Sequence, residues 1–319
     1  MPEKRLQIIL NRRSGTLIQM DADAVSTHIQ QAFEEKGWVV EAKLVEGPDL
    51  VPALDQAVEG PADTILVGGG DGTIATAVEK LRGTDKTLAI LPLGTMNLLA
   101  KDLDLPDDWK EAVETLLQGE VREIDIAMVN GQPFTCMSVL GVYPRISESR
   151  ESLRGQGFFL KWLRVFGAGI RILATYPLLR VKITTAEGET HELRTRLLMI
   201  SNNQYEPGVI GQLPRRRALD EGKLGIYVYD NPGRWQMLYV TAALLLGWWD
   251  KVPDLRAYAS SEVTIQPRRK RKIRTMTDGE ILKLRAPLKY SIEARGLRML
   301  TSPQMDAETS CPELKAEEA

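Results

Sequence analysis

The stretch Thr64-Ile65-Leu66-Val67-Gly68-Gly69-Gly70-Asp71-Gly72-Thr73 decides how the rest of the chain is read. Its first residues are a short apolar run, which reads as a buried strand. Glycines then turn the chain, and Ile74, Val78 and Leu81 fall on one face of the helix that follows. Glycine has no Cβ, so its backbone can approach a ligand closely. The first amides of the helix have no internal partners and favour an anion. Asp71 stands inside this turn, beside the place where phosphates would lie. An acid there makes chemical sense when a magnesium ion or a hydroxyl proton is also present. An ordinary strand-to-helix turn needs no such run of glycines.

The flanking sequence repeats the pattern. Leu6 to Leu10 reads as a strand that ends in the polar loop Asn11-Arg12-Arg13-Ser14-Gly15. Asp21 or Asp23 caps the next helix, where Val25, Ile29 and Phe33 recur every fourth residue. Trp38 begins a strand that runs toward Val45, and Leu50 to Val58 reads as a helix. Thr87 to Pro92 is a further strand, closed by Leu93-Gly94-Thr95-Met96-Asn97, and helical patterns occupy Leu98 to Leu103 and Trp109 to Leu117. Short apolar strands alternating with helices predict an open, mainly parallel α/β sheet with helices on both faces. Ligands bind such sheets at the carboxyl ends of the strands. The loops Asn11–Gly15, Gly69–Thr73 and Gly94–Asn97 all fall at such ends.

From about Val121 the texture changes. Ile124 to Val129 alternates with period two, Asn130-Gly131 is a hairpin turn, and Phe134 to Val139 answers it. Further strands read at 179–184, 195–201, 223–229, 263–266, 281–284 and 290–294, with helical inserts at 158–173 and 235–248. The expected division is an α/β domain over 1–128 and a largely antiparallel β domain over 129–295. A late strand near 296–301 is expected to return to the first domain, and a polar, acidic, disordered tail is expected over 302–319.

Composition narrows the function classes. The chain has 319 residues, a formal charge of −2 and two cysteines, Cys136 and Cys311, in unlike settings. That fits a reducing compartment better than a disulfide framework or a zinc site. The N-terminus lacks a signal-peptide apolar region, and no apolar run reaches the roughly 20 residues that span a bilayer. A cytoplasmic protein is expected, and no nucleic-acid signature is present. A dinucleotide reading of Gly70-Asp71-Gly72-Thr73-Ile74-Ala75 lacks the acid expected about 20 residues further on. No P-loop is present.

Gly69-Gly70-Asp71-Gly72-Thr73 resembles the signature of the diacylglycerol kinase catalytic domain, a family that includes sphingosine kinases and bacterial lipid kinases. Its motif is shared more distantly with NAD kinases and 6-phosphofructokinases. Asn11 to Gly15 resembles the family's Asn-Pro-x-Ser-Gly loop, Gly94-Thr95-Met96-Asn97 its Gly-Thr-x-Asn loop, and Asp278-Gly279-Glu280 its Asp-Gly-Glu. The order of these motifs makes the resemblance specific, over roughly Arg5 to Leu300. It implies an α/β nucleotide-binding domain, a β-sandwich lipid domain and an active site in the cleft between them. The implied reaction is ATP- and magnesium-dependent phosphorylation of a lipid hydroxyl. Asn11, Arg12, Arg13, Ser14, Gly15, Gly69, Gly70, Asp71, Gly72, Thr73, Ile74, Ala75 and Thr95 would hold ATP. Glu280 would accept the hydroxyl proton, with Asp71 near the magnesium and γ-phosphate. Asp125 would join an acid–water–magnesium network. A structural cation would sit on Glu221 and the carbonyl oxygens of Ala218 and Lys223.

The sequence departs from the family pattern at Arg12 for Pro, Val45 for Thr, Ala75 for Asn, Leu98 for Asp and Glu221 for Asp. These bear on metal binding more than on reaction class. A soluble-substrate kinase and a lipid- or nucleotide-binding protein without turnover remain the alternatives. Two basic clusters, Arg215–Arg217 and Arg268–Lys272, and the apolar segment 158–173 point to peripheral contact with an anionic membrane. A homodimer is the candidate assembly.

Overall fold

The computed structural model describes residues 3–141, 178–205, 216, 218–230, 233, 236, 255–268 and 271–303. The segment 158–173, the insert at 235–248 apart from residue 236, and the tail beyond 303 lie outside the described residues. The chain divides into two compact units, Met1–Glu123 with Leu297–Ala319, and Ile124–Gly296.

The first unit alternates strand and helix: β1 (Arg5–Asn11), α1 (Ala22–Glu34), β2 (Val39–Val45), α2 (Leu50–Glu59), β3 (Thr64–Gly69), α3 (Asp71–Leu81), β4 (Thr87–Pro92), α4 (Leu98–Asp102) and α5 (Trp109–Leu117). Its strands are parallel in the order β4-β3-β1-β2. Arg298 and Met299, late in the chain, pair in parallel with Thr87 and Leu88 of β4. Every residue of β3 and β4 is buried, as expected for strands covered on both faces. β2, at the edge, alternates exposed and half-buried positions up to its last residue. Of the two candidate caps of α1, Asp21 is the one used, and it accepts from the N–H groups of Asp23 and Ala24 at 3.0 and 3.2 Å.

The second unit is built from β5 (Glu120–Val129), β6 (Gln132–Phe134), β7 (Met137–Gly141), β8 (Leu179–Thr185), β9 (Thr190–Ser201), β10 (Leu224–Asp230), β11 (Leu255–Ser260), β12 (Glu262–Pro267), β13 (Lys272–Thr277), β14 (Glu280–Arg285) and β15 (Leu288–Thr301). Its strands run β14-β13-β7-β9-β8-β12-β15, with β10 on β9 and β11 on β10. The pairings β12–β15, β12–β8, β8–β9, β7–β9, β13–β7 and β13–β14 are antiparallel. The result is an antiparallel β-sandwich around Leu198, Ile200, Ile226, Val228, Ile265 and Leu288. Phe134 meets Tyr290 edge-on in that core, with ring centroids 6.1 Å apart.

Two strands differ from their expected extents, and a buried aspartate explains each. The strand expected over Phe134 to Val139 is broken between β6 and β7. There the amides of Thr135, Cys136 and Met137 turn to the carboxylate of Asp278 at 2.6, 2.9 and 3.1 Å. The segments expected as separate strands at 290–294 and 296–300 are one strand, β15. It carries Arg295 at φ 53°, where the amide of Arg295 donates to Asp125 at 2.9 Å.

Candidate active site

In the first unit, parallel register lines up the ends of the central strands. Leu10 is opposite Gly68, and Gly69 opposite Pro92, so the loops after β1, β3 and β4 start at one level. Side chains then lock them together. Asn11 Nδ2 donates to Thr73 Oγ1 at 2.9 Å, joining the first loop to the glycine turn. The amide of Thr16 donates to the carbonyl of Leu93 at 3.1 Å, joining the first loop to the third. Asp71 is the first residue of α3, and its Oδ1 accepts from the amide of Leu98 at 2.8 Å, joining the glycine turn to α4.

The third loop is shaped by Asn97, which sequence reading placed in a motif without giving it a task. Asn97 is left-handed at φ 49°, a conformation Asn tolerates better than most residues. Its side chain accepts from the amide of Gly94 at 2.9 Å and donates to the carbonyl of Gly94 at 3.2 Å. This closes the loop tightly enough for Gly94 and Gly70 to touch. A Cβ on Gly94 would lie 2.6 Å from Gly70 Cα. Since that neighbour is backbone, the two loops would have to separate. Gly94→Ala is therefore expected to cost about 1–3 kcal/mol in thermal unfolding. Gly47→Ala, where nothing lies within 4 Å, serves as the control and should cost much less.

The residues expected to hold ATP divide by environment. Gly15 and Thr95 are exposed on the loops and Gly72 on the first turn of α3, while Asn11, Gly70, Asp71 and Ala75 are half-buried. Ser14 is 5% exposed, and its hydroxyl has no hydrogen-bond partner among the described residues. A buried hydroxyl of that kind at the end of β1 is a donor awaiting an acceptor, and phosphate oxygens fit it. Ile74 belongs to the buried face of α3 and packs in the core. Arg12 forms a two-oxygen ion pair with Asp23, both contacts at 3.1 Å, and Arg13 reaches Glu46 at 3.3 Å. Both ion pairs are solvent-exposed and therefore weak, so they place the two guanidinium groups beside the loop without cancelling their charge.

The second unit holds Asp125, Ala218, Glu221, Lys223 and Glu280. Asp125 is fully buried. Its Oδ1 accepts from Arg295 N at 2.9 Å; its Oδ2 accepts from Asn203 Nδ2 at 2.7 Å and Gly222 N at 2.6 Å. Its own amide donates to the carbonyl of Leu219 at 2.6 Å. The structure thus brings Asp125 to the 218–223 loop. Its carboxylate takes three direct N–H donors, one on Oδ1 and two on Oδ2. Asp125 anchors that loop, and Gly222, at φ 67°, makes the bend. Asp125→Asn would turn an N–H group toward donors and leave them unpaired. It is expected to lower unfolding stability by at least about 2 kcal/mol, and an unchanged urea midpoint would refute the anchoring role.

Glu280 opens β14, directly after a two-residue turn made by Asp278 at φ 46° and Gly279 at φ 85°. Two positive φ values in succession are the hairpin geometry that favours Asp-Gly. Asp278 is pinned by the three amides already named and by the hydroxyl of Thr135 at 2.9 Å. Burial pushes its carboxyl pKa up from the ordinary Asp value, and those donors pull it back. The side chain of Glu280 is exposed, with no ion pair or hydrogen bond among the described residues. Sequence reading missed Thr135, Asn202 and Asn203 as anchors. Asn202 Nδ2 spans the carbonyls of Asp125 and Thr135 at 2.8 and 3.1 Å, linking the two buried aspartates. Nothing local in the sequence marks these partners.

The sequence of residues 5–129 matches the diacylglycerol kinase catalytic domain, and that of residues 147–301 matches the YegS C-terminal NAD kinase beta sandwich-like domain. The chain belongs to the diacylglycerol kinase catalytic-domain family. A diacylglycerol kinase of Bacillus subtilis is 36% identical over 135 residues, 41% of this chain and 44% of that protein. A probable lipid kinase YegS-like of Klebsiella pneumoniae is 40% identical over 114 residues, 34% of this chain and 38% of that protein. The chain therefore spans less than half the length of these two curated relatives in the matched stretches. In fold, it is similar to a crystal structure described as a diacylglycerol kinase of Bacillus anthracis. The TM-score is 0.69 at 20% identity, over 96% of this chain and 99% of the other.

Proposed function

We propose that this chain is an ATP- and magnesium-dependent lipid kinase that phosphorylates a hydroxyl of diacylglycerol or a related lipid. The observation that carries the reading is the group of three interlocked loops around the buried, unpartnered Ser14 hydroxyl, with Asp71 at the start of α3. Phosphoryl transfer asks for positioning and charge neutralisation, with little covalent help from protein. Backbone amides at the start of α3 and the Ser14 hydroxyl supply donors for phosphate oxygens. Magnesium, when bound, supplies the charge neutralisation between those oxygens. The lipid hydroxyl oxygen forms the new bond to the γ-phosphorus, the bond to the bridging oxygen breaks, and ADP leaves. Glu280 takes the hydroxyl proton. Glu221 and the carbonyls of Ala218 and Lys223 form a set of hard oxygen donors that suits a second, structural magnesium or calcium. Asp125 serves that site through the loop it anchors.

Incubation with radiolabelled ATP and a panel of lipids tests this reading. Label in an organic-extractable product, lost without magnesium, supports it. A water-soluble labelled product makes the chain a soluble-substrate kinase, and nucleotide binding without turnover makes it a binding protein. Among the described residues, no helix is long and apolar enough to cross a membrane. A lipid substrate would then be met from the surface.

A further inference from the structure

The core of the second unit is built mainly from leucine, isoleucine and valine, yet four hydroxyls are strung through it below the β13–β14 turn. Ser138 Oγ lies 3.0 Å from the phenol oxygen of Tyr290 and 3.0 Å from Thr277 Oγ1. Thr277 Oγ1 in turn lies 3.3 Å from Thr275 Oγ1. Ser138 and Thr275 are fully buried, Tyr290 is 2% exposed and Thr277 5%. Apolar groups of the same shape would serve a core about as well, so its stability does not ask for this string.

Its hydrogens do not all find acceptors within it. Each hydroxyl owns one hydrogen and can accept two. Three contacts among four hydroxyls use three hydrogens, and no other acceptor takes the fourth among the described residues. The phenol of Tyr290, the more acidic partner, donates to Ser138, and Ser138 donates to Thr277. If Thr277 then donated to Thr275, the surplus hydrogen would be stranded on a fully buried oxygen. With Thr275 donating instead, both lone pairs of Thr277 are filled and its own hydrogen is the one left over. Thr277 is also the member of the string nearest to solvent.

The hairpin register shows where that hydrogen can go. Glu280 is directly opposite Thr277, and opposite residues share a face of the sheet. The same face carries Ile273, Thr275, Leu282 and Leu284 and is turned to the core. Glu280 therefore begins a core-facing row at its exposed rim. Opposite Cβ atoms stand about 4.5–5.5 Å apart, within reach of a glutamate side chain. The basic residues of the hairpin, Lys272, Arg274, Lys283 and Arg285, alternate onto the other face. β7 carries no charged residue, Lys289 alternates with Tyr290 on β15, and Asp278 is turned to the amides of Thr135 to Met137.

We infer that Thr277 is the positioning residue of Glu280: its surplus O–H donates to the carboxylate and holds one oxygen, so that the other is presented to the acceptor hydroxyl. A donor to the charged form keeps the carboxylate ionised, as a proton acceptor must be. Tyr290 and Ser138 act behind it by fixing which way the Thr277 hydroxyl points. The inference rests on the reading of Glu280 as the proton acceptor, and its test separates the two.

The full chain, labelled with carboxyl carbon-13 glutamate, is titrated by NMR, and the Glu280 signal is the one absent from Glu280→Gln. Thr277→Val removes the hydroxyl at nearly constant shape. The Glu280 midpoint should then rise by about one pH unit, or about tenfold in proton affinity. Thr277→Ala, which adds no bulk, should raise it as well, and Thr277→Ser should leave it near wild type. In turnover on a lipid, Thr277→Val should lower kcat about tenfold with the ATP KM unchanged, and should lower it no further in a Glu280→Gln background. An unchanged midpoint in Thr277→Val and Thr277→Ala overturns the inference. So does a midpoint that rises as much in Thr277→Ser, or a loss of kcat in Thr277→Val that is the same with and without Glu280. A wild type that phosphorylates no lipid overturns the kinase reading alone, because the titration still reports whether Thr277 holds Glu280.

Discussion

Asp71→Asn is expected to leave a folded protein whose turnover is at least about 100-fold below wild type, the scale of losing one electrostatic stabiliser. The structure explains why the two effects should separate. Asp71 has two tasks that draw on different properties of its side chain. One oxygen accepts from the amide of Leu98 at 2.8 Å, and an Asn side chain keeps an oxygen that can do the same. The joint between the glycine turn and α4 should therefore persist. What the substitution removes is the negative charge at the first residue of α3. At a helix N-terminus that charge contributes about 0.3–1 kcal/mol to stability, a small part of a domain's total. A magnesium ion held beside the phosphates would depend on such a charge far more than the fold does. Asp71→Ala removes both tasks and should lose thermal stability as well as turnover. The pair of variants is read by melting temperature and by labelled product formation. Near-normal turnover in a folded Asp71→Asn protein would remove Asp71 from the reaction and leave it as the clasp of α4.

The central strands were legible because their information is local. β3 and β4 are continuous apolar runs buried on both faces, and the glycine turn between β3 and α3 needs no distant partner to be recognised. The Asn130-Gly131 hairpin was legible for the same reason, and its φ values of 49° and 84° are those its sequence favours. The break at Thr135 to Met137 was not legible. Its cause is Asp278, 141 to 143 residues away in the chain. The single strand β15 depends likewise on Asp125, 170 residues from Arg295. Period-two patterning reports which side of a strand is buried, and it is silent about a carboxylate that arrives from elsewhere. In the candidate site, the loops could be named from their glycines, but the tasks of their side chains could not. Arg12 pairs on the surface with Asp23, and Ile74 sits within a motif while its helical face is turned to the core, and neither contact is written in the motif itself.

Glu280→Gln is the second substitution expected to have a large effect, and it tests the chemistry more sharply than any other. Glu280 is exposed and lies opposite the buried Thr277 at the mouth of the β13–β14 turn, and its side chain has no hydrogen bond or ion pair among the described residues. Its backbone is placed by its neighbour, since Asp278 is pinned by the segment at Thr135 to Met137. Glutamine keeps the size and shape of the side chain and breaks no bond, so melting temperature should not change. If Glu280 accepts the proton of the lipid hydroxyl, kcat should fall by about 100- to 10,000-fold. ATP affinity should stay near wild type, because a group that acts on the acceptor contributes little to nucleotide binding. The measurement is kcat and the ATP Kd on the same preparation, with Asp71→Asn as the comparison. A variant that loses ATP affinity at unchanged kcat would make Glu280 a nucleotide contact. One with full activity would make it a solvated acid at the end of a tight turn, and the proton acceptor would have to be sought among other carboxylates of the chain, beginning with Asp71.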